Sequence, residues 1–210
     1  MMTARTEIRC RRTSVLAFRV HSGWAAALAL GGRPDFPELI ERTRLNLIDC
    51  DGAGVAQPYH AAAEMDIAEV EVYIELSAQS STAIAREALE ALLVRQRAKN
   101  RGVGGCAILF ASGRQLGALA SILASHAMIH TAEGEFFRNV IVQACEQLDL
   151  RVTRIKEREL WSVAEEAVGF PSERLQSHLA VIGKIAGPPW TQDQKLAALA
   201  AWVALVTKGK

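Results

Sequence analysis

Two histidines four residues apart, His126 and His130, stand in a largely apolar stretch and are followed by Glu133 and Glu135. On a helix that spacing puts both imidazoles on one face, about 5–6 Å apart at Cβ, with Glu133 close to the same face. Two imidazoles and a carboxylate form a ligand set for zinc or another divalent transition metal. His126, His130 and Glu133 are therefore the candidate metal ligands. The same two histidines with Glu133 and Glu135 can instead serve as general acid and base in a hydrolase. The stretch reads His-Ala-Met-Ile-His, so it lacks the glutamate of the HExxH helix. The plainer alternative is structural: these groups cap and bond across a helix junction, with Thr131 as N-cap of a segment from Glu133 to Leu148.

A second cluster, Arg19, His21, Ser22 and Trp24, falls at a strand–turn–strand corner. Arg19 with His21 can clamp a phosphate or carboxylate. Alternatively Arg19 is a buried cation that needs a carboxylate, for which Glu133, Glu135 and Asp193 are candidates. Ser112-Gly113-Arg114 follows an apolar run and can form a small anion nest. Ser22 beside His21 is not set in a nucleophile elbow. The glycines of Gly102-Val103-Gly104-Gly105 precede a strand, the wrong context for a dinucleotide fingerprint. Gly187-Pro188-Pro189 reads as a rigid turn against which Trp190 packs.

The elements that must position these residues follow from hydrophobic period and turn signals. Ser14 to Val20 and Trp24 to Leu30 read as strands joined by His21-Ser22-Gly23. Leu39 to Ile48 alternates, with Ile40, Arg42, Arg44, Asn46 and Ile48 on one face and Leu39, Glu41, Thr43, Leu45 and Leu47 on the other. Tyr59 to Asn100 is helical, with a bend expected at Ser77 to Thr82 and a stop at Asn100-Arg101-Gly102. Val103 to Ala111 is short and continuously apolar, as in a strand covered on both faces. A long helix or broken helix pair spans Gln115 to Leu150, a last strand Arg151 to Ile155, and helices Leu160 to Val168, Ser172 to Ile185 and Gln192 to Val206. Three strands in a meander, then two reached through helices, predict a mixed five-stranded sheet with helices on both faces. The carboxyl-end crevice of that sheet, at Arg19, Ser112 and Arg114, is where a ligand belongs.

Composition bounds the function. Half of the 210 residues are hydrophobic and the mean hydropathy is +0.11, ample material for a core. Residues 1–13, with Arg5, Arg9, Arg11 and Arg12, read as a basic tail, and residues 14–210 as one domain ending in helices. A net charge of +1 argues against a strongly basic nucleic-acid-binding surface overall. No apolar run approaches the roughly 18 residues of a membrane span, and no leader is evident near the start. The four cysteines are widely spaced, with no CxxC pair, which fits a reducing, cytoplasmic compartment.

The order strand–strand–strand–helix–strand–helix–strand–helix resembles the ribonuclease H-like superfamily. Local texture is similar to its branch containing the Holliday-junction resolvases. That texture lies in Val15 to Val20 with the turn His21-Ser22-Gly23-Trp24 and Ala25–Ala27, and in Asp193-Gln194-Lys195-Leu196-Ala197-Ala198-Leu199-Ala200. The resemblance covers roughly residues 14 to 206 as topology. It implies a three-layer α/β/α domain and, for the family, two divalent metals about 3.5–4 Å apart on converging carboxylates. Here the first-strand aspartate position is Arg19, the fourth strand's end offers Ser112 and Arg114 but no acid, and Asp193 alone stands at a family-like place. A domain that binds nucleic acid or a phosphorylated ligand through Arg19, His21, Ser112, Arg114 and Asp193, without two-metal cleavage, is the leading expectation. A hydrolase built on the histidine–glutamate cluster, and a structural homodimer paired through an alanine-rich helix, are the alternatives.

Overall fold

Five strands form one mixed sheet in the order β3-β2-β1-β4-β5. The computed structural model describes residues 12–49, 56–111 and 115–207. β1 (Arg12–His21), β2 (Trp24–Arg33) and β3 (Phe36–Asn46) are the antiparallel meander. β4 (Arg101–Phe110) lies parallel to β1, and β5 (Val152–Lys156) parallel to β4. The β1–β2 turn closes in two residues because Gly23 takes φ +75, and a Cβ there would press on the Ile48 side chain.

Each crossover runs through the same face. α1 (Pro58–Ala62) and α2 (Ile67–Ala98) lead into β4; α3 (Leu119–Leu123) and α4 (His126–Gln147) lead into β5. α5 (Leu160–Val168), α6 (Ser172–Ala186) and α7 (Gln192–Thr207) cover the opposite face. Strand alternation divides the core accordingly. Val15, Ala17, Leu28, Leu30, Ala107 and Leu109 pack on α5–α7, whereas Leu16, Phe18, Ala27, Ala29, Cys106 and Ile108 pack on α2 and α4. The alanines of β2 leave both helix layers close to the sheet. No helix among the described residues is long and apolar enough to cross a membrane.

The structure corrects three expectations. A register shift between Ala29 and Leu30 breaks the alternation of β3, so Ile40 shares the α2 and α4 side with Leu45 and Leu47, whereas Leu39 lies on the α7 side. α2 runs unbroken through Ser77–Thr82, and the interruption falls earlier, between Ala62 and Ile67. Ser77, Ser81 and Thr82 are buried small residues that let α4 approach, and Thr82 Oγ1 donates to Gln143 Oε1 at 3.2 Å. α4 likewise starts at His126, seven residues beyond the start of α3, and continues through Gly134 without a break. Thr131 caps nothing: its hydroxyl donates to the Ala127 carbonyl one turn back. α7, with alanines at 197, 198, 200, 201 and 204, is interior from Leu196 to Leu205.

Candidate functional site

Arg19 sits near the carboxyl end of the central strand β1, on the face that meets α7. Its Nε and Nη2 donate to Glu157 Oε2 at 3.3 Å and Oε1 at 3.1 Å, a two-pronged pair, and its Nη1 donates to Asp193 Oδ1. Glu157 opens the 3₁₀ turn (Glu157–Glu159) that leaves β5. Asp193 lies in the first turn of α7, where the helix dipole favours a carboxylate. That turn is fixed by Thr191, whose backbone N–H donates to Gln194 Oε1 at 2.8 Å, one half of a capping box. Burial disfavours the charge on Arg19, but hydrogen bonds and attraction from Glu157 and Asp193 outweigh it and raise its pKa.

His21, two residues on, presents Nε2 3.0 Å from Asp193 Oδ1 and 3.2 Å from Arg19 Nη1. It donates to the aspartate when Nε2 is protonated and accepts from the guanidinium when it is not. Across the hairpin, its ring stacks on its register partner Trp24, with centroids 4.3 Å apart and planes 11° from parallel. Exposed Arg44 on β3 lies over the same indole, 4.0 Å from its centroid. An open cavity of about 470 Å³ lies at the ends of β4 and β5, bordered by α4. Phe110, Gln115, Asn139, Arg154 and Lys156 line it, together with Glu135.

Of the carboxylates expected to meet Arg19, Asp193 does so; Glu133 and Glu135 do not. Glu157 was missed because a glutamate among the charged residues after β5 carries no signal of its own, whereas the topology aims it back at β1. Glu135 belongs to the cavity and pairs with Arg138 at 3.2 Å, away from the histidines, because the uninterrupted helix turns it to another face. Ser112 and Arg114 lie outside the described residues.

The histidines form a separate cluster on the α2 and α4 side. His126 Nε2 and His130 Nε2 are 3.0 Å apart on the exposed first turns of α4. His60, carried by α1, completes the group, with ring centroids 5.4 Å from His126 and 4.8 Å from His130. Glu133, only 3% exposed, accepts through Oε1 from Tyr59 N–H at 2.9 Å, His60 N–H at 3.1 Å and His60 Nδ1 at 3.2 Å. Burial raises the Glu133 pKa, and the bonds from His60 and Tyr59 only partly oppose it. Sequence spacing missed His60 because it lies more than sixty residues away on a five-residue helix. The sheet separates this cluster from Arg19.

No family model matches the chain, and no curated protein matches it. Similar solved structures exist. Thermus thermophilus RuvC aligns with a TM-score of 0.54 at 9% identity. T. thermophilus RuvC in complex with a Holliday junction substrate aligns at 0.53 and 10%. Each alignment covers 94% of this chain and 96% of the other. At such identity the likeness establishes the fold: a ribonuclease H-like α/β domain with a mixed five-stranded sheet.

Proposed function

We propose that this chain is a nucleic-acid-binding ribonuclease H-like domain that does not run two-metal cleavage at the centre of its sheet. The observation that carries this reading is Arg19, a cation on the central strand held by both Glu157 and Asp193. Two divalent ions require hard oxygen ligands with free lone pairs. Here the two acids converge on a guanidinium instead, and a metal would have to displace it against direct repulsion.

Binding is supported by the surroundings. The Arg44–Trp24–His21 stack offers a planar, cationic surface suited to bases or phosphates, and Arg154 and Lys156 flank the cavity at the strand ends. RuvC has been captured with a Holliday junction substrate, so a four-way DNA junction is the first ligand to try. A phosphorylated small molecule in the cavity is the narrower version of the same reading. We assign residues 14–210 to one domain, which Arg12 and Thr13 join as the start of β1, and retain the basic tail ahead of it and a homodimer as part of the proposal.

The test is fluorescence anisotropy with a labelled four-way junction and a duplex of equal length over a salt series. The log of affinity falls linearly with the log of salt, and Arg44→Ala lowers the slope by about one. Nucleoside phosphates compete only if the small-molecule version holds, and mass measured at the same concentrations gives the oligomeric state. Salt-independent or absent binding overturns the nucleic-acid reading. Junction cleavage in Mg²⁺ or Mn²⁺ that Asp193→Asn abolishes overturns the non-nuclease reading.

A further inference from the structure

Among the described residues, one group of three histidine, cysteine or acidic side chains has ligand atoms all within 4.8 Å of one another: His60, His126 and His130. Nothing in the nucleic-acid reading uses it, and it lies across the sheet from Arg19. We propose that His60, His126 and His130 form a three-histidine site for a divalent metal of the zinc class, with Glu133 as the buried carboxylate that orients His60.

The geometry is near what such an ion requires. Tetrahedral zinc with bonds of about 2.0–2.1 Å separates its ligand nitrogens by about 3.3–3.4 Å. The His126–His130 pair at 3.0 Å is slightly tighter than this, and the 4.8 Å limit of the whole group is slightly looser. Small rotations of partly exposed rings close the difference. A metal takes imidazole ligands in their neutral form. As neutral rings they present lone pairs to a common point.

Glu133 supplies the second, independent observation. Metal-bound imidazoles characteristically donate their other ring nitrogen to a carboxylate, which fixes the tautomer and strengthens the ligand. Glu133 Oε1 occupies that place against His60 Nδ1, leaving His60 Nε2 as the lone-pair nitrogen. The two backbone N–H groups of Tyr59 and His60 hold the same oxygen, so the carboxylate is anchored before any ion arrives. Its other oxygen, Oε2, is buried with no hydrogen-bond partner. An anion so placed is costly alone, and a dication one imidazole away compensates it. Glu133 thus moves from the ligand set to the shell behind it, and His60 takes its place. His126 and His130 are exposed, so the fourth position opens to solvent, as in zinc sites that activate water rather than in closed structural ones.

The experiment uses the full chain, purified without a histidine tag and stripped with chelator. Zn²⁺ is titrated in competition with a chromogenic chelator, and Co²⁺ binding is followed by its visible absorption. The wild type takes up one equivalent with a tetrahedral cobalt spectrum. His126→Ala and His130→Ala, on the exposed turns, keep their far-UV circular dichroism and weaken Zn²⁺ binding at least tenfold. Glu133→Gln weakens it about 10–100-fold. An adventitious pair of surface histidines depends on neither His60 nor Glu133, so unchanged affinity in both His60→Ala and Glu133→Gln overturns the proposal. Unchanged affinity in the His126→Ala/His130→Ala double variant does so as well. DNA affinity plays no part in these readings, so this site and the nucleic-acid interface stand or fall separately.

Discussion

Glu41 is where a single charge matters most to the frame. From β3 its Oε1 accepts from Arg95 Nε at 2.6 Å, and its Oε2 from Lys99 Nζ at 2.7 Å and Gln96 Nε2 at 2.9 Å. Gln96, itself buried, meets Ser14 Oγ on β1 at 3.3 Å, so one carboxylate ties the end of α2 to two strands. Burial pushes its pKa up, but the hydrogen bonds and charges of Lys99 and Arg95 outweigh that and leave it below its ordinary 4.5. A lowered folded pKa contributes stability that is full above the unfolded value and is lost as pH falls through the folded one. Glu41→Gln is therefore expected to cost roughly 1 kcal/mol near neutrality, the partners being half exposed and screened. In thermal melts at decreasing pH, that gap from wild type should close below about pH 4.5. A gap that stays constant into acid would mean that the carboxylate's charge contributes nothing. At this scale the sequence was only partly legible. Arg19 announced its need for an acid, because a cation inside an apolar strand is costly unless paired. His60 and Glu157 announced nothing, since their partners are set by the fold and not by neighbours in sequence.

α6 and the turn after it are packed closely against β3 and Trp190. Arg42 on β3 donates to four carbonyls there, those of Ala186, Gly187, Pro188 and Pro189, satisfying the free end of the helix. Trp190 then folds back on Gly183: a Cβ at residue 183 would lie 2.8 Å from Trp190 Cγ and closer still to Cδ1 and Nε1. Alanine in a helix interior normally gains about 1 kcal/mol over glycine, whereas forcing an atom into a packed contact costs about 1–3 kcal/mol. Gly183→Ala should therefore lower the melting temperature in the native chain yet raise it in a Trp190→Ala background. The same sign in both backgrounds would show that the indole does not press on the helix. Elements bounded by clear stops, such as α5, α6 and α7, matched their sequence signals closely. α2 did not. Its Ser77–Thr82 stretch looked like a weak point by propensity, but those small polar side chains line the contact with α4, and tertiary packing overrode the local preference. Ile67 and Leu76, although apolar, point to solvent.

For the molecule as a whole, the question is whether two helix layers on one sheet behave as a single unit. All four tryptophans, Trp24, Trp161, Trp190 and Trp202, lie on the α5–α7 side. The long helices α2 and α4, which dominate the circular dichroism, lie on the other. In denaturant, tryptophan fluorescence and far-UV circular dichroism should follow one coincident transition, because β1, β2 and β4 are sandwiched between both cores. Separate midpoints would divide residues 14–210 into two cooperative units. The mixed five-stranded sheet with helices on both faces was legible from element order, since short connections and helical crossovers leave few alternatives. Where the helices break ahead of each parallel strand was not legible, because α1 and α3 are single short turns inside continuing helical periodicity. Across the sandwich, on the side without tryptophan, Cys106 of β4 and Cys145 of α4 stand with their sulfurs 3.5 Å apart, both buried. The thiol at 145 has its pKa pushed far above the ordinary value by its bond with Cys106 and by burial, so it stays protonated and unreactive. An alkylating reagent meets them only while that helix lifts from the sheet, so the chain carries its own stopwatch for how often its interior opens.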